Sequence, residues 1–169
     1  LLAVLLAAPV FAEDDIYDDV PPLQRSLAEL QLGDHFKDVQ RIYPPTQKWV
    51  PYIDPRGRVM RYRIERAWAK NFPLWTETLL LGFKGGALVD IQVVYNAKRT
   101  REKSCESLAR DLSLTYGEPR RSGDTIWWSD SDTVLRVFPV EVPTLKRGGG
   151  VELRASLEIY DKNLFTRAD

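Results

Sequence analysis

The 169-residue sequence holds one cysteine, one histidine and one methionine, and its 24 basic side chains equal its 24 acidic ones. A lone cysteine closes no internal disulfide, so packing alone must hold the fold. With His35 as the single imidazole, a histidine-built metal centre is excluded. A Ser-His-Asp relay would depend on His35 alone, which stands beside Asp34 at an expected helix start. No Gly-x-Ser-x-Gly elbow, Walker loop, dinucleotide fingerprint or Cys-x-x-Cys pair occurs. The absence of a basic excess argues against a broad nucleic-acid surface. These gaps predict a non-enzyme that uses no metal and no cofactor.

Long apolar runs are also missing. Residues 1–11 are uncharged and apolar, but a bilayer span needs about twenty such residues. The run is followed by Glu13, Asp14 and Asp15, and small Val10 and Ala12 suit the −3 and −1 positions of a cleavage site. Residues 1–12 therefore read as a signal peptide, which predicts a periplasmic or secreted protein with no transmembrane segment after cleavage. No cysteine stands at that site, which argues against a lipid anchor. The acidic stretch EDDIYDDVPP that follows reads as a solvated leader. Its functional alternative is docking on the basic group Lys98, Arg99, Arg101 and Lys103.

What the chain does contain is periodic. Leu23, Leu27 and Leu30 mark a short helix ended by Leu32-Gly33, and Asp34 caps a second whose stripe is Phe36, Val39, Ile42 and Tyr43. The period then falls to two. A strand is expected over 61–68, with Tyr62, Ile64 and Trp68 alternating against Arg61, Arg63 and Glu65. Strands over 76–83 and 87–95 make a hairpin turned by Lys84-Gly85-Gly86. Residues 46–58 read as a loop. Cys105, Leu108, Ala109, Leu112 and Tyr116 then recur at steps of three and four, giving one amphipathic helix capped by Thr100 and stopped by Gly117 and Pro119. Cys105 on that stripe reads as a small buried thiol. Strands over 124–128, 133–140 and 151–160 follow, the last with Val151, Leu153, Ala155, Leu157 and Ile159 on a dry face.

The two halves repeat this order, helix then Tyr-x-Pro or Tyr-Gly-x-Pro then three strands, with matching points about 65 to 73 residues apart. The expected fold is α+β, an antiparallel sheet with helices packed on one face, built as two tandem αβββ units. The units fall at 32–97 and 98–169, after a leader and short helix at 13–31.

Candidate chemistry is sparse. Asp130 and Asp132 flank Ser131 in a turn that lacks the ligand count of a calcium loop. Glu65, Asp90, Glu152 and Glu158 occupy outward strand positions, where pairing with cross-strand arginine is the ordinary role. Aromatics offer more. Trp49, Tyr52, Trp75, Trp127 and Trp128 are candidate anchors for a partner protein, and Arg61, Arg63, Arg136 and Arg154 are candidate binding arginines. The competing reading is that the tryptophans seal the edges of a small core. The sequence thus points to a non-catalytic module that binds another envelope or secreted protein. A carboxylate-based envelope hydrolase and a glycan- or lipid-binding module are the alternatives.

The layout from Leu108 to Lys162, helix, Tyr-Gly-x-Pro, hairpin and Ile-Tyr-Asp-Lys, resembles small exported bacterial modules. Among these are the beta-lactamase inhibitor protein, a tandem of such units, and the single-unit SmpA/OmlA envelope family. The lipobox cysteine of the envelope lipoproteins has no counterpart here. No binding residue transfers from either family.

Overall fold

The computed structural model describes residues 21–54, 59–144 and 149–165. Residues 1–20, where the signal peptide and acidic leader are expected, lie outside the described residues, as do 55–58, 145–148 and 166–169.

Past Gly33 the architecture is one eight-stranded antiparallel sheet. In chain order its strands are β3 (Pro51–Asp54), β4 (Val59–Glu65), β5 (Thr76–Lys84), β6 (Ala87–Tyr95), β7 (Arg120–Ser122), β8 (Thr125–Ser129), β9 (Thr133–Pro143) and β10 (Val151–Asp161). Their spatial order is β3-β4-β5-β6-β10-β9-β8-β7, so each half of the chain makes a four-stranded meander. The meanders join edge to edge where β6 pairs with β10, Val94 opposite Ser156 and Ile91 opposite Ile159.

The α+β expectation is therefore corrected. The described residues are mostly β, the strands past Gly33 form one continuous sheet, and each half supplies four strands to it rather than three. Two strands escaped notice because Pro51 and the adjacent Arg120 and Arg121 gave their segments a loop-like composition. Both lie at the outer edges of the sheet, where proline and charge are tolerated because one side of the strand makes no ladder.

The helices are short. α1 (Phe36–Ile42) is followed, after β6, by α2 (Ala97–Glu102) and α3 (Cys105–Tyr116). The single helix expected from Thr100 is broken because two better caps compete for the chain. Asn96 accepts from the Arg99 amide and Ser104 from the Ser107 amide. Thr100 instead uses its hydroxyl to accept the Ala155 amide at 3.1 Å. Asp34 is likewise no helix cap: its carboxylate accepts from Gln31, and His35 takes the cap position. Residues 23–31 form a hairpin, β1 (Ser26–Leu27) and β2 (Leu30–Gln31), in place of the expected helix. Ala28 and Glu29 both adopt positive φ, 52° and 62°, to turn it.

The helices and this hairpin cover one face of the sheet. Ile64, Leu79, Leu81, Ile91, Leu135, Val137 and Ile159 pack against Leu30, Val39, Tyr43, Leu108 and Ala109 in one core. Each such aliphatic side chain contributes about 1.5–3 kcal/mol through its burial. Val89 departs from the expected alternation because a bulge between Gly82 and Phe83 shifts the register; it packs with Val59 and Phe165 in a separate small cluster. No described helix is long and apolar enough to cross a membrane.

Candidate functional site

The side chains opposite the core form a face that no described helix covers, and strand pairing orders them into rows. One row crosses the sheet as Tyr52, Arg61, Gly82, Asp90, Tyr160 and Val134. The next runs Arg63, Leu80, Gln92, Glu158, Arg136, Trp127 and Arg120. A third holds Glu65, Thr78, Val94, Ser156 and Phe138. Six of the nine residues singled out from the sequence, Tyr52, Arg61, Arg63, Arg136, Arg154 and Trp127, thus share one face.

The other three do not. Trp49 is a core residue, its ring edge-on to Phe36 and its indole N–H donated to the Trp68 carbonyl at 3.0 Å. Trp128 is also in the core and donates to the Gly117 carbonyl at 2.9 Å. Trp75 precedes β5 at φ 70°, with the Lys98 ammonium 4.8 Å from its ring centroid. For Trp49 and Trp128 the core-sealing reading was the correct one.

The centre of the face is dry and charged. Asp90 and Glu158 are fully buried, although alternation alone marked them as outward positions. Arg61 reaches from β4 across Gly82 of β5 to hydrogen-bond Asp90 on β6, and its Nη2 lies 3.8 Å from Glu158. Arg136 Nε approaches Glu158 from the other side at 3.5 Å. Burial disfavours the Arg61 charge, but the two carboxylates outweigh it and raise its pKa further above its ordinary value. Aromatic rings roof the array: Arg61 lies 5.8 Å from the Phe165 centroid and Arg136 4.9 Å from that of Phe138. Beside it, Gln92 donates to Ser156 at 2.9 Å.

Gly82 makes the crossing possible. A Cβ built there would lie 3.0 Å from Asp90 Cβ and 3.3 Å from its Oδ2, in the space the ion pair occupies.

Toward the rim the acids become more exposed, though Arg154 itself stays largely buried. Arg154 bridges Glu77 at 2.9 Å and Glu152 at 2.8 Å, and Arg63 pairs with Glu65 at 2.6 Å with over half of its side chain exposed. Tyr52 is 46% exposed on the edge strand. The face is therefore a fixed ionic centre ringed by accessible aromatic and guanidinium groups. Its two buried acids each face an arginine, an arrangement suited to rigidity.

Asp130 and Asp132 form the expected turn, with Asp130 Oδ1 accepting from the Asp132 and Thr133 amides. No cluster of potential metal ligands occurs among the described residues. At this end of the sheet lies a cleft of about 310 Å³ whose lining includes Pro22, Tyr116, Glu118, Arg120 and Trp127. Sequence reasoning missed Gly82, Phe165 and this cleft. The one available signal was the apolar Phe165 in an otherwise polar tail.

Comparison of the chain with protein-family models, with curated proteins and with solved structures finds no match.

Proposed function

We propose that this chain is a non-catalytic, exported module that binds another protein of the bacterial envelope or periplasm through the helix-free face of its sheet. The observation that carries this reading is the gathering of Tyr52, Arg63, Arg154 and Trp127 around the buried array of Arg61, Asp90, Glu158 and Arg136. Tyrosine, tryptophan and arginine are the side chains that dominate protein hot spots, and a rigid platform lowers the ordering cost of using them. Acids and bases alternate across the face, which favours a polar protein surface over a polyanion. The meeting of two meanders edge to edge is in keeping with the layout resemblance to tandem exported modules, which belongs to this same proposal.

The test is capture from envelope extract followed by calorimetry with the purified partner. Tyr52→Ala and Arg63→Glu each lower affinity at least tenfold, while Trp75→Ala leaves it unchanged. Equal loss in all three variants, or no captured protein at low and moderate salt, sinks the reading.

A further inference from the structure

The cleft at the β7–β8 end has its own chemistry. β7 pairs with β8 only from Thr125 to Trp127, whereas β8 continues to Ser129. Residues 21–23 run beside this uncovered end, held where the Leu23 amide donates to Asp130 Oδ2 at 2.8 Å. The space left between them, about 310 Å³, lies at the small end of small-molecule sites.

Its lining is mixed, with Tyr116, Trp127 and Trp128 beside Glu118, Arg120, Ser129 and Asp130. Tyr116 and Trp127 are half-buried, and Trp128, on the core side of β8 opposite to Trp127, is fixed by its bond to Gly117. The Trp127 indole N–H has no acceptor among the described residues, nor do Glu118 and Arg120, both exposed at the rim, make a hydrogen bond there. The Asp130 oxygens are already occupied by backbone amides.

This combination narrows the ligand. The lining carries two carboxylates against one guanidinium, which disfavours phosphates and organic acids. A lipid tail would set apolar carbon against a lining that is more polar than apolar. A ring with one apolar C–H face and a rim of hydroxyls meets every group. We propose that the cleft binds a neutral saccharide unit, one pyranose lying on Trp127 with its hydroxyls donating to Glu118 and accepting from Arg120. The site adjoins the protein-binding face and shares Trp127 and Arg120 with it.

The full chain is titrated with cellotriose, maltotriose and chitotriose, following tryptophan fluorescence up to about 10 mM, since one stacked ring with two charged hydrogen bonds gives a Kd near ~1 mM. At least one trisaccharide gives a saturable change. Trp127→Ala and Glu118→Gln weaken it tenfold or more, and exposed Leu114→Ala does not. Glu118→Gln guards against misfolding of the tryptophan variant, and Tyr52→Ala should bind saccharide normally whatever its effect on the protein partner. No saturable change with any of the three, equal binding by Glu118→Gln, or saturable binding of a hexaproline peptide in their place overturns the proposal.

Discussion

At the residue scale, the face depends on one missing Cβ. Arg61 lies one strand away from Gly82 and Asp90 one strand beyond it, so the guanidinium must pass over the glycine to reach its partner. Gly82→Ala places a methyl 3.0 Å from Asp90 Cβ. The expected cost is about 1–3 kcal/mol, typical of overpacking, read as a lower urea midpoint at unchanged slope. A loss below about 0.5 kcal/mol would mean that the ion pair relaxes around the methyl. Asp161 offers a second residue-level test. Burial opposes its ionisation, but hydrogen bonds from Arg25 at 2.7 Å and from the Asn163 and Leu164 amides prevail and hold its pKa below the ordinary value. A depressed folded-state pKa means that the unfolded chain takes the proton first. The stabilisation is therefore complete above about pH 5 and is lost as the pH falls through ~3.9 toward the folded value. Asp161→Asn should be less stable at neutral pH and should lose less on acidification. Urea unfolding at about pH 7 and pH 3 measures this, and parallel losses in both proteins would refute it.

At the scale of elements, local conformational choices explain where the helices are. The pattern of Leu23, Leu27 and Leu30 fits a helix, yet the segment makes a hairpin whose Leu32 amide bonds back to the Arg25 carbonyl at 2.9 Å. Tertiary packing of Leu30 into the core decides it, at the expense of two non-glycine residues in the left-handed region. Replacing Ala28 with Asn and Glu29 with Gly, the pair favoured in such turns, should stabilise the protein by about 1 kcal/mol. Thermal unfolding reports this as a rise in Tm; a fall would show that the Glu29 side chain contributes more than its backbone costs. The break between α2 and α3 follows the same logic, with Ser104 satisfying the Ser107 amide that a continuous helix would have bonded internally.

For the whole molecule, the joint between β6 and β10 is decisive. It completes the sheet and also brings Asp90 and Arg61 from the first half against Glu158 and Arg136 from the second. Separating the halves would leave Arg61–Asp90 and Arg136–Glu158 paired within their own meanders, but it would break the Arg61–Glu158 contact at 3.8 Å and the Gln92–Ser156 hydrogen bond and bare the ladder edges of β6 and β10. A fragment of residues 98–169 is thus expected to lack cooperative unfolding and to associate through the bared edge of β10, while the full chain unfolds in one transition. Circular dichroism and sedimentation check both. A monomeric fragment with a sharp transition would show that the second meander is an independent domain.

The sequence by itself determined the strands of the central sheet and their parity. Alternation in 76–83, 87–95 and 151–160 placed Leu79, Leu81, Ile91 and Ile159 on a common face, and the Gly85-Gly86 pair, at φ 60° and 86°, marked its turn. It also located the stripe of α3, whereas Glu65 and Glu152 pair with arginines two residues away on their own strands, Arg63 and Arg154, rather than across strands. These features were legible because side-chain alternation and turn chemistry are local properties of the chain. Only the tertiary structure decided which strands are neighbours, and hence that Asp90 and Glu158 share one arginine. It alone decided that Val151 and Leu153 stay 60% and 59% exposed on the nominally dry face while Glu158 is sealed on the nominally wet one. Parity names the face to which a side chain belongs. Whether that face is wet depends on what lies across it, and for Arg61 part of that cover is Phe165, a residue distant in sequence.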